Sequence, residues 1–381
     1  MSCLPRRKFR DSYPVQTRIA HRPRSCCPDG RSGNGARGDG RTGATGLHQA
    51  YRGESYYEWP AVKASHYRWL VATYLFVGGL AGAAQLIATV ADLLGQTRDR
   101  TIVRTGRYLA LVGAMVSPVL LILDLHYPRR WFNMLAIFRS TSPMSIGSWT
   151  LLGFGTLSGL AAVGQALEDL LGATIGRQMA RLFGLPAAAS GAMTSIYTGT
   201  LLATTSVPLW ASAHRLLPAW FGASSTASAS AALSLILNAA GAPKSIRRRL
   251  ERLSLVAAAA ELGVALAMTR RWTEQRLATP LERQPIKGVY YVGVLGLGMI
   301  GPLIVHAVQT LTGRHSRTMS SVADIATLAG AYAERAVVIF AGNNSARRPT
   351  DYFEFTQPSE LATNGAGATA PAPRAAGSYQ Q

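Results

Sequence analysis

The middle of this sequence has little charge. The chain has 381 residues, yet the 273 residues from 69 to 341 hold only 34 Asp, Glu, Lys and Arg side chains. That is about half the charge density of an average soluble domain, in which roughly 25% of residues are charged. A water-soluble domain with so few charges would be hard to keep in solution. The scarcity of charge therefore excludes an ordinary soluble domain and favours one that is embedded in a membrane.

Cysteine and acidic residues are also scarce. The three cysteines are Cys3, Cys26 and Cys27, so the region from 56 to 342 has none. This excludes a disulfide framework, a zinc site or a cysteine-ligated iron–sulfur cluster there, and we expect no metal in this chain. The 39 basic residues outnumber the 19 acidic ones. Much of this basic charge lies in an Arg/Gly-rich tail and in short loops, which argues against nucleic-acid binding.

The composition changes along the chain and divides it into three parts. Residues 1–55 are rich in Arg and Gly and have little apolar surface to bury, so we predict a disordered tail. Residues 343–381 are predicted to be a low-complexity C-terminal tail. Residues 56–342 lie between them and are predicted to form the membrane domain.

Eight apolar runs of about 17–26 residues occupy the middle part. Each is long enough to cross about 30 Å of hydrocarbon as a helix. Small residues such as those of GGLAGAA (78–84) would let neighbouring helices approach closely in lipid. We therefore predict an all-α integral membrane protein with eight transmembrane helices. Their approximate limits are 69–94, 106–125, 147–167, 187–209, 217–240, 253–269, 289–311 and 322–342.

The basic residues between the runs predict an orientation. The loops after runs one, three, five and seven hold 13 Lys and Arg when Arg107 at the start of run two is included, whereas the loops after runs two, four and six hold 9. Loops that are rich in Lys and Arg tend to stay in the cytoplasm. This pattern predicts that both termini of the membrane domain lie outside.

Four segments resemble one protein family, and they occur in the family's order. The second is the most specific of the four. The segments are YYEWPAVKASHYRWLVATYLFVGGLAGAAQ (56–85), SPVLLILDLHYPRRWFNMLAIFRSTSPMSIGSW (117–149), YTGTLLATTSVPLW (197–210) and LAGAYAERAVVIFAG (328–342). Together they resemble the NrfD/PsrC family, the integral membrane components of nitrite reductase and polysulfide reductase systems.

The resemblance implies an architecture, a substrate and partners. It implies two four-helix bundles, with a quinone (menaquinone or ubiquinone) bound in the first bundle and no heme. It also implies that the chain is the quinone-reactive membrane anchor of a respiratory oxidoreductase complex in the bacterial inner membrane. The expected partners are a ferredoxin-like iron–sulfur subunit and a molybdopterin or multiheme catalytic subunit.

Quinone chemistry moves two protons with two electrons, so the site needs titratable and hydrogen-bonding groups. Ionisable side chains near membrane depth are costly, which makes them functional candidates. Asp124 ends the second run, and Arg129 follows across Pro128. We predict that Asp124 is the catalytic proton acceptor and that Arg129 helps to hold the quinone. An Asp–Arg pair that only pins the loop is the alternative interpretation.

Two tyrosines and one histidine complete the predicted quinone site. A phenol can donate a hydrogen bond to a quinone oxygen while its ring packs against the quinone ring or lipid. Tyr74 lies in the first run and Tyr197 in the fourth. The resemblance places Tyr74 where a quinone-contacting polar residue is expected. His66 precedes the first run and is predicted to exchange protons at the rim of the site. Packing tyrosines and a surface histidine are the alternatives.

The last candidates lie in the second half of the membrane domain. Glu261 and His306 lie in the middle of the sixth and seventh runs, and we predict that they relay protons. A buried pair without such a role is the alternative. Arg335 lies late in the eighth run and is predicted to be a structural anchor to a carbonyl or a lipid headgroup.

Two other functions stay open on the sequence alone. A heme-b anchor would need two histidines that face each other across helices, but of the histidines in this region only His306 is central in a run. A secondary transporter would need internal repeats and broken helices. The sequence has no clear repeat, although Pro302 could break the seventh helix.

Overall fold

The computed structural model describes residues 62–95, 99–125, 127–136, 138–313 and 315–356. Within these residues the chain is helical and contains no strand, which confirms the all-α prediction. The predicted tail of residues 1–55 and residues 357–381 of the predicted C-terminal tail lie outside the described residues.

Eight long helices, numbered here in chain order, account for most of the described residues. They are α1 (Trp69–Leu94), α2 (Arg100–Asp124), α3 (Pro143–Leu171), α4 (Thr174–Ala203), α5 (Leu216–Ala239), α6 (Lys244–Glu274), α7 (Ile286–Thr312) and α8 (Arg317–Ala346). Shorter helices connect or follow them, and they include Pro128–Arg130, Asn133–Ala136, Pro208–Ala211, Thr279–Glu282 and Pro349–Thr356. The last of these lies within the predicted C-terminal tail.

Seven of the eight long helices are long and apolar enough to cross a membrane. The exception is α4, which has 30 residues but includes polar residues along its length, such as Arg177, Arg181 and Thr194. The chain is therefore a multi-pass membrane protein with seven candidate spans, and an eighth crossing by α4 stays a prediction.

Several helices extend beyond the apolar runs from which they were predicted. The largest difference is in α4, which begins at Thr174 and not near residue 187. Its first turns contain Arg177, which pairs with Glu168 at 2.8 Å, and Arg181, which pairs with Asp92 at 3.2 Å. A search for apolar runs omits such residues, but paired charges at a helix end do not interrupt the helix.

Proline determines two other features of the helices. The fourth apolar run was predicted to continue to residue 209, but α4 ends at Ala203 and a separate short helix begins at Pro208. A proline lacks the N–H group that an uninterrupted helix would need at this position. In α7, residues Val289–Ile300 form a π-helix that follows a short α-helical stretch at Ile286–Gly288. The chain returns to α-helix at Gly301, next to Pro302. Pro302 therefore coincides with a change of winding and not with a break in α7.

The first four helices contact one another in a ring. In this ring α1 contacts α2 and α4, and α3 contacts the same two helices. Helices α5, α6, α7 and α8 form a second ring of contacts. The two sets meet mainly through α1 and α4, which contact α5, and α1 also contacts α8.

Glycine permits the closest approach between α1 and α4. A Cβ atom on Gly82 would collide with the carbonyl oxygen of Gly191 and would lie 2.9 Å from Oγ of Ser195. The Ser195 hydroxyl also donates a hydrogen bond of 2.9 Å to the carbonyl oxygen of Gly79. Phe154 of α3, which is fully buried, packs beside Gly191. The backbones of α1 and α4 are therefore in direct contact at this level.

The Gly82 contact predicts an effect on stability. We expect Gly82→Ala to destabilise the folded protein by about 1–3 kcal/mol, because the added methyl group overpacks the contact between α1 and α4. The measurement is the thermal unfolding midpoint of the detergent-solubilised protein. Gly153→Ala is the matched control, since a Cβ atom at Gly153 meets nothing within 4 Å. An equal midpoint for the two variants would contradict the proposed importance of this contact.

Candidate functional site

A cavity of about 420 Å³ lies among α1, α2, α3 and α4. Its volume falls in the range that is typical of small-molecule sites. Apolar atoms form most of its wall, and a few polar side chains interrupt them. Four of the residues predicted from the sequence line this one cavity. They are His66, Tyr74, Asp124 and Tyr197.

The cavity reaches from the protein surface into the helices. The exposed side chain of His66 lies at the surface end, and Gly78 of α1 lies at the inner end. With a rise of 1.5 Å per residue, Gly78 is about 14 Å along α1 from Trp69. At the inner end, a Cβ atom on Gly78 would lie 2.9 Å from the hydroxyl oxygen of Ser117. Glycine at position 78 therefore permits the close approach of Ser117 on α2 at the cavity floor.

Below this floor the four helices close. The contact between Gly82 and Gly191, together with Phe154, fills the next layer. One turn further, Oγ of Ser158 and Nε2 and Oε1 of Gln85 form buried hydrogen bonds. The cavity is therefore separated from the opposite ends of these helices by packed side chains.

The opposite ends of the first four helices are tied together by a buried arginine. Arg107 of α2 is 2% exposed, and it donates hydrogen bonds to Asp92 at 2.9 Å and to Gln165 at 2.7 Å. Asp92 also pairs with Arg181 of α4. These contacts link α1, α2, α3 and α4 at the end that lies away from the cavity.

Tyr74 lines the cavity, and the residue is only 9% exposed. In the part of the chain that the structure describes, no hydrogen bond occupies the Tyr74 hydroxyl group. A buried phenol usually needs a partner, so this group is available to a molecule in the cavity.

Tyr197 lines the cavity in a different way. Its hydroxyl group donates a short hydrogen bond to the carbonyl oxygen of Pro143, in the first turn of α3. Its ring lies against Gly147, at a position where any Cβ atom would overlap the phenol. The Tyr197 ring is therefore part of the cavity wall, but its donor is engaged by the protein.

Asp124 is half-buried at the C-terminal end of α2. His66 and Arg68 lie near enough to interact electrostatically with its carboxylate. Arg129 does not join them. It is exposed on the short helix Pro128–Arg130 and does not line the cavity, and the described side chains of Asp124 and Arg129 form no ion pair. The sequence separation of five residues did not reveal that the two side chains lie apart.

Sequence reasoning missed several residues of the cavity. Tyr67 lines it beside His66, and burial, followed by the charge of Asp124, raises the pKa of the Tyr67 phenol. The hydroxyl oxygen of Thr198 is buried without a hydrogen-bond partner among the described residues. Thr194 and Thr198 lie one turn apart on α4, and the face that they share also includes Tyr197. That helical spacing was a usable signal for the two threonines.

Glu261 lies in a separate buried cluster among α5, α6 and α8. Its carboxylate lies close enough to Glu334 and Arg335 to interact with them electrostatically. Arg335 pairs with Glu334 at 2.5 Å and donates to Ser224 at 2.8 Å.

Arg335 is anchored as well as paired. Its guanidinium group donates to the carbonyl oxygen of Phe221 at 3.0 Å and to the hydroxyl oxygen of Ser225 at 3.2 Å. It also lies 4.3 Å from the centre of the Phe221 ring. These contacts hold α8 against α5 inside the protein.

His306 lies in a third place and does not contact Glu261. Its Nε2 atom is 3.6 Å from a carboxylate oxygen of Asp324, and both side chains are buried. Closer to the loop between α7 and α8, His315 pairs with Glu251 at 2.5 Å. Asp324 and Glu334 are ten residues apart on α8, which corresponds to about 15 Å along the helix. The two predicted relay residues therefore belong to different clusters.

Among the residues that the structure describes, no group of three or more His, Cys, Asp or Glu side chains could hold a metal ion. The cavity is lined by four side chains that can form hydrogen bonds or exchange protons, namely those of His66, Tyr67, Tyr74 and Asp124. An apolar molecule with hydrogen-bonding oxygens would be complementary to such a wall.

Comparison with protein-family models identifies the family of this chain. Residues 62–346 match the family described as "Polysulphide reductase, NrfD". A comparison with curated proteins found no match to this chain. The family match covers all eight long helices and the residues that line the cavity.

The different environments of the two tyrosines predict different mutational effects. We expect Tyr74→Phe to weaken binding of a quinone analogue by about 0.5–1.5 kcal/mol, the net contribution of one hydrogen bond. We expect Tyr197→Phe to change binding less, because its hydroxyl group already donates to Pro143. The measurement is calorimetric titration of the solubilised complex with the analogue, after thermal unfolding has shown that each variant is folded. A larger loss for Tyr197→Phe would contradict this assignment.

Proposed function

This chain belongs to the NrfD family of polysulphide reductase membrane proteins, and from that premise we propose that it is the quinone-reactive subunit of its complex. Family membership indicates a membrane subunit of a respiratory oxidoreductase complex. In our proposal the subunit exchanges electrons between the menaquinone or ubiquinone pool of the membrane and an iron–sulfur partner.

The cavity among α1, α2, α3 and α4 carries this proposal. A quinone ring is flat and largely apolar, and its two oxygens accept hydrogen bonds. The cavity wall is mostly apolar, and the Tyr74 hydroxyl group has no partner among the described residues. The Asp124 carboxylate lines the same space and forms no hydrogen bond with the described residues. The two groups therefore supply one donor and one proton acceptor to a ring in the cavity.

The proton transfers of the proposed reaction need only groups that line the cavity. Oxidation of a quinol releases two electrons and two protons. Tyr74 donates a hydrogen bond to one oxygen of the ring, while Asp124 accepts the two released protons one after the other. His66 is exposed beside Asp124 and passes each proton to water before Asp124 accepts the next. The electrons leave to the iron–sulfur partner, and the reverse steps reduce a quinone.

The second half of the protein supports a separate proton relay. We assign α1–α4 and α5–α8 to two four-helix bundles and include α4 as the eighth membrane crossing. In the second bundle, Glu261 with Glu334 and His306 with Asp324 form two buried titratable clusters. Such groups are expensive inside a membrane and are often functional. We propose that both clusters take part in proton movement.

The proposed orientation follows from the loop charges. It puts both ends of the membrane domain, and the cavity mouth at His66, on the outer side of the bacterial inner membrane. Exposed aromatic residues lie near this mouth, including Tyr127, Trp131 and Phe138. We propose that the ferredoxin-like partner docks on this side and connects the chain to a molybdopterin or multiheme catalytic subunit.

Replacement of Asp124 tests the proposed reaction. We expect Asp124→Asn to slow quinol-dependent reduction of the partner's iron–sulfur clusters by about 10²-fold, because an amide cannot accept the proton. The rate is measured in membranes that contain the whole complex, and assembly of each variant is checked. Glu282→Gln is the control, since it makes the same chemical change at an exposed carboxylate outside the cavity. A wild-type rate for an assembled Asp124→Asn complex would overturn the role of Asp124.

The spectrum of the purified chain separates this proposal from a heme-b anchor. We expect the dithionite-reduced protein to show no b-type α band. The reason is that the buried His306 and the partly buried His315 each face a carboxylate, Asp324 and Glu251, and not a second histidine. One b-type heme per chain would reject the proposal in favour of a cytochrome anchor.

A further inference from the structure

Two residues at the mouth of the cavity lie outside every helix. His66 and Tyr67 belong to residues 62–68, called here the leading segment, which has no regular secondary structure before α1 begins. A segment of this kind has no helical hydrogen bonds to fix its path. The position of His66 and Tyr67 therefore depends on contacts that the leading segment makes with other parts of the protein.

Asn343 of α8 supplies two of these contacts. Its Nδ2 atom donates a hydrogen bond of 3.0 Å to the backbone carbonyl oxygen of Tyr67. Its Oδ1 atom accepts a hydrogen bond of 2.6 Å from the hydroxyl group of Ser65. One side-chain amide thus holds the leading segment on both sides of His66. More than 270 residues separate Asn343 from the two residues that it holds.

Trp210 supplies a third contact. The Tyr67 ring stacks on the fully buried Trp210 ring, with 6.2 Å between the ring centres and 28° between the planes. The indole N–H group of Trp210 donates to the carbonyl oxygen of Val338 at 2.8 Å. Gly342 leaves space for this indole, since a Cβ atom there would overlap it. Trp210 is therefore fixed by α8, and so is the ring that stacks on it.

We propose that Asn343 is a positioning residue for the quinone site: it holds His66 and Tyr67 at the cavity mouth from the second half of the protein. This inference rests on the proposed function, because it assigns the consequence to quinol binding. Asn343 does not line the cavity and touches no substrate. Its effect passes through the backbone of Tyr67 and through Ser65, so its loss should weaken quinol binding at the mouth. The chemical step should be spared, because water at the exposed mouth can take the proton from Asp124 directly when His66 is displaced.

The chain offers a matched control beside Asn343. Asn344 is also half-buried and lies at the same end of α8. Between described residues, its side chain forms no hydrogen bond with the leading segment. Asn343→Ala and Asn344→Ala therefore make the same chemical change in the same turn, and they differ in their effect on residues 62–68. Ser65→Ala removes one of the two Asn343 contacts and keeps the other.

The first measurement is quinol-dependent reduction of the partner's iron–sulfur clusters by the intact complex in membranes. We expect Asn343→Ala to raise KM for quinol about fivefold or more and to leave kcat within about twofold, as expected for lost hydrogen bonds outside the chemistry. Ser65→Ala should raise KM less, and Asn344→Ala should leave both constants unchanged. Equal KM values for Asn343→Ala and Asn344→Ala would overturn the proposal, and so would a loss of kcat without a change in KM.

The second measurement does not depend on the reaction. Hydrogen–deuterium exchange of the solubilised complex should be faster across residues 62–68 in Asn343→Ala than in Asn344→Ala. Faster exchange with an unchanged KM would show that Asn343 fixes the segment without serving the quinone site, which would overturn the proposal. If wild-type complex showed no quinol dependence, the proposed function itself would fail, and the exchange result would still show whether Asn343 holds the segment.

Discussion

A charge inside a membrane protein is costly unless a partner offsets it, and the arrangement of the helices follows from this constraint. Arg107 is buried with Asp92 and Gln165, and this cluster ties the first four helices at one end. Arg335 is buried with Glu334 and with acceptors on α5, and this cluster joins α8 to α5. In both places the partner of a buried arginine comes at least partly from another helix. The requirement to pair the charge therefore also fixes which helices are neighbours.

Asp124 departs from this pattern. It is half-buried and lines the cavity, and no carboxylate hydrogen bond or ion pair is recorded for it among the described residues. The nearby positive groups, His66 and Arg68, act on it at longer range. At the other end of the same helices, the acidic residues Asp92, Glu168 and Asp169 are all paired with arginines. The helices pack closely at the end where these three acidic residues are paired. The cavity lies at the other end, where Asp124 forms no ion pair with the described residues.

The two halves of the protein meet through helix α8. Going along α8, Glu334 and Arg335 belong to the buried cluster with Glu261, and Asn343 follows two turns later at the cavity mouth. Close to Arg335, a Cβ atom on Gly79 of α1 would lie 3.9 Å from the guanidinium group. One helix of the second set thus contacts α1 beside the cavity residue Gly78 and also holds the chain at the cavity mouth. This geometry gives a physical connection between the proposed quinone site and the proposed relay.

The sequence by itself determined that the protein is an all-α membrane protein, and it identified four of the residues that line the cavity. Long apolar runs with few charges require helices, because only intrahelical hydrogen bonds satisfy the backbone in lipid. Tyr74, Asp124, Tyr197 and His66 could be named in advance, because polar groups at membrane depth are few and costly. The tertiary structure decided what each residue faces. It placed Arg129 away from Asp124, engaged the Tyr197 hydroxyl group with Pro143, and separated Glu261 from His306. It also brought Asn343 to Tyr67. Such contacts depend on how helices far apart in the chain rotate and pack against each other, and no local pattern of residues records that rotation.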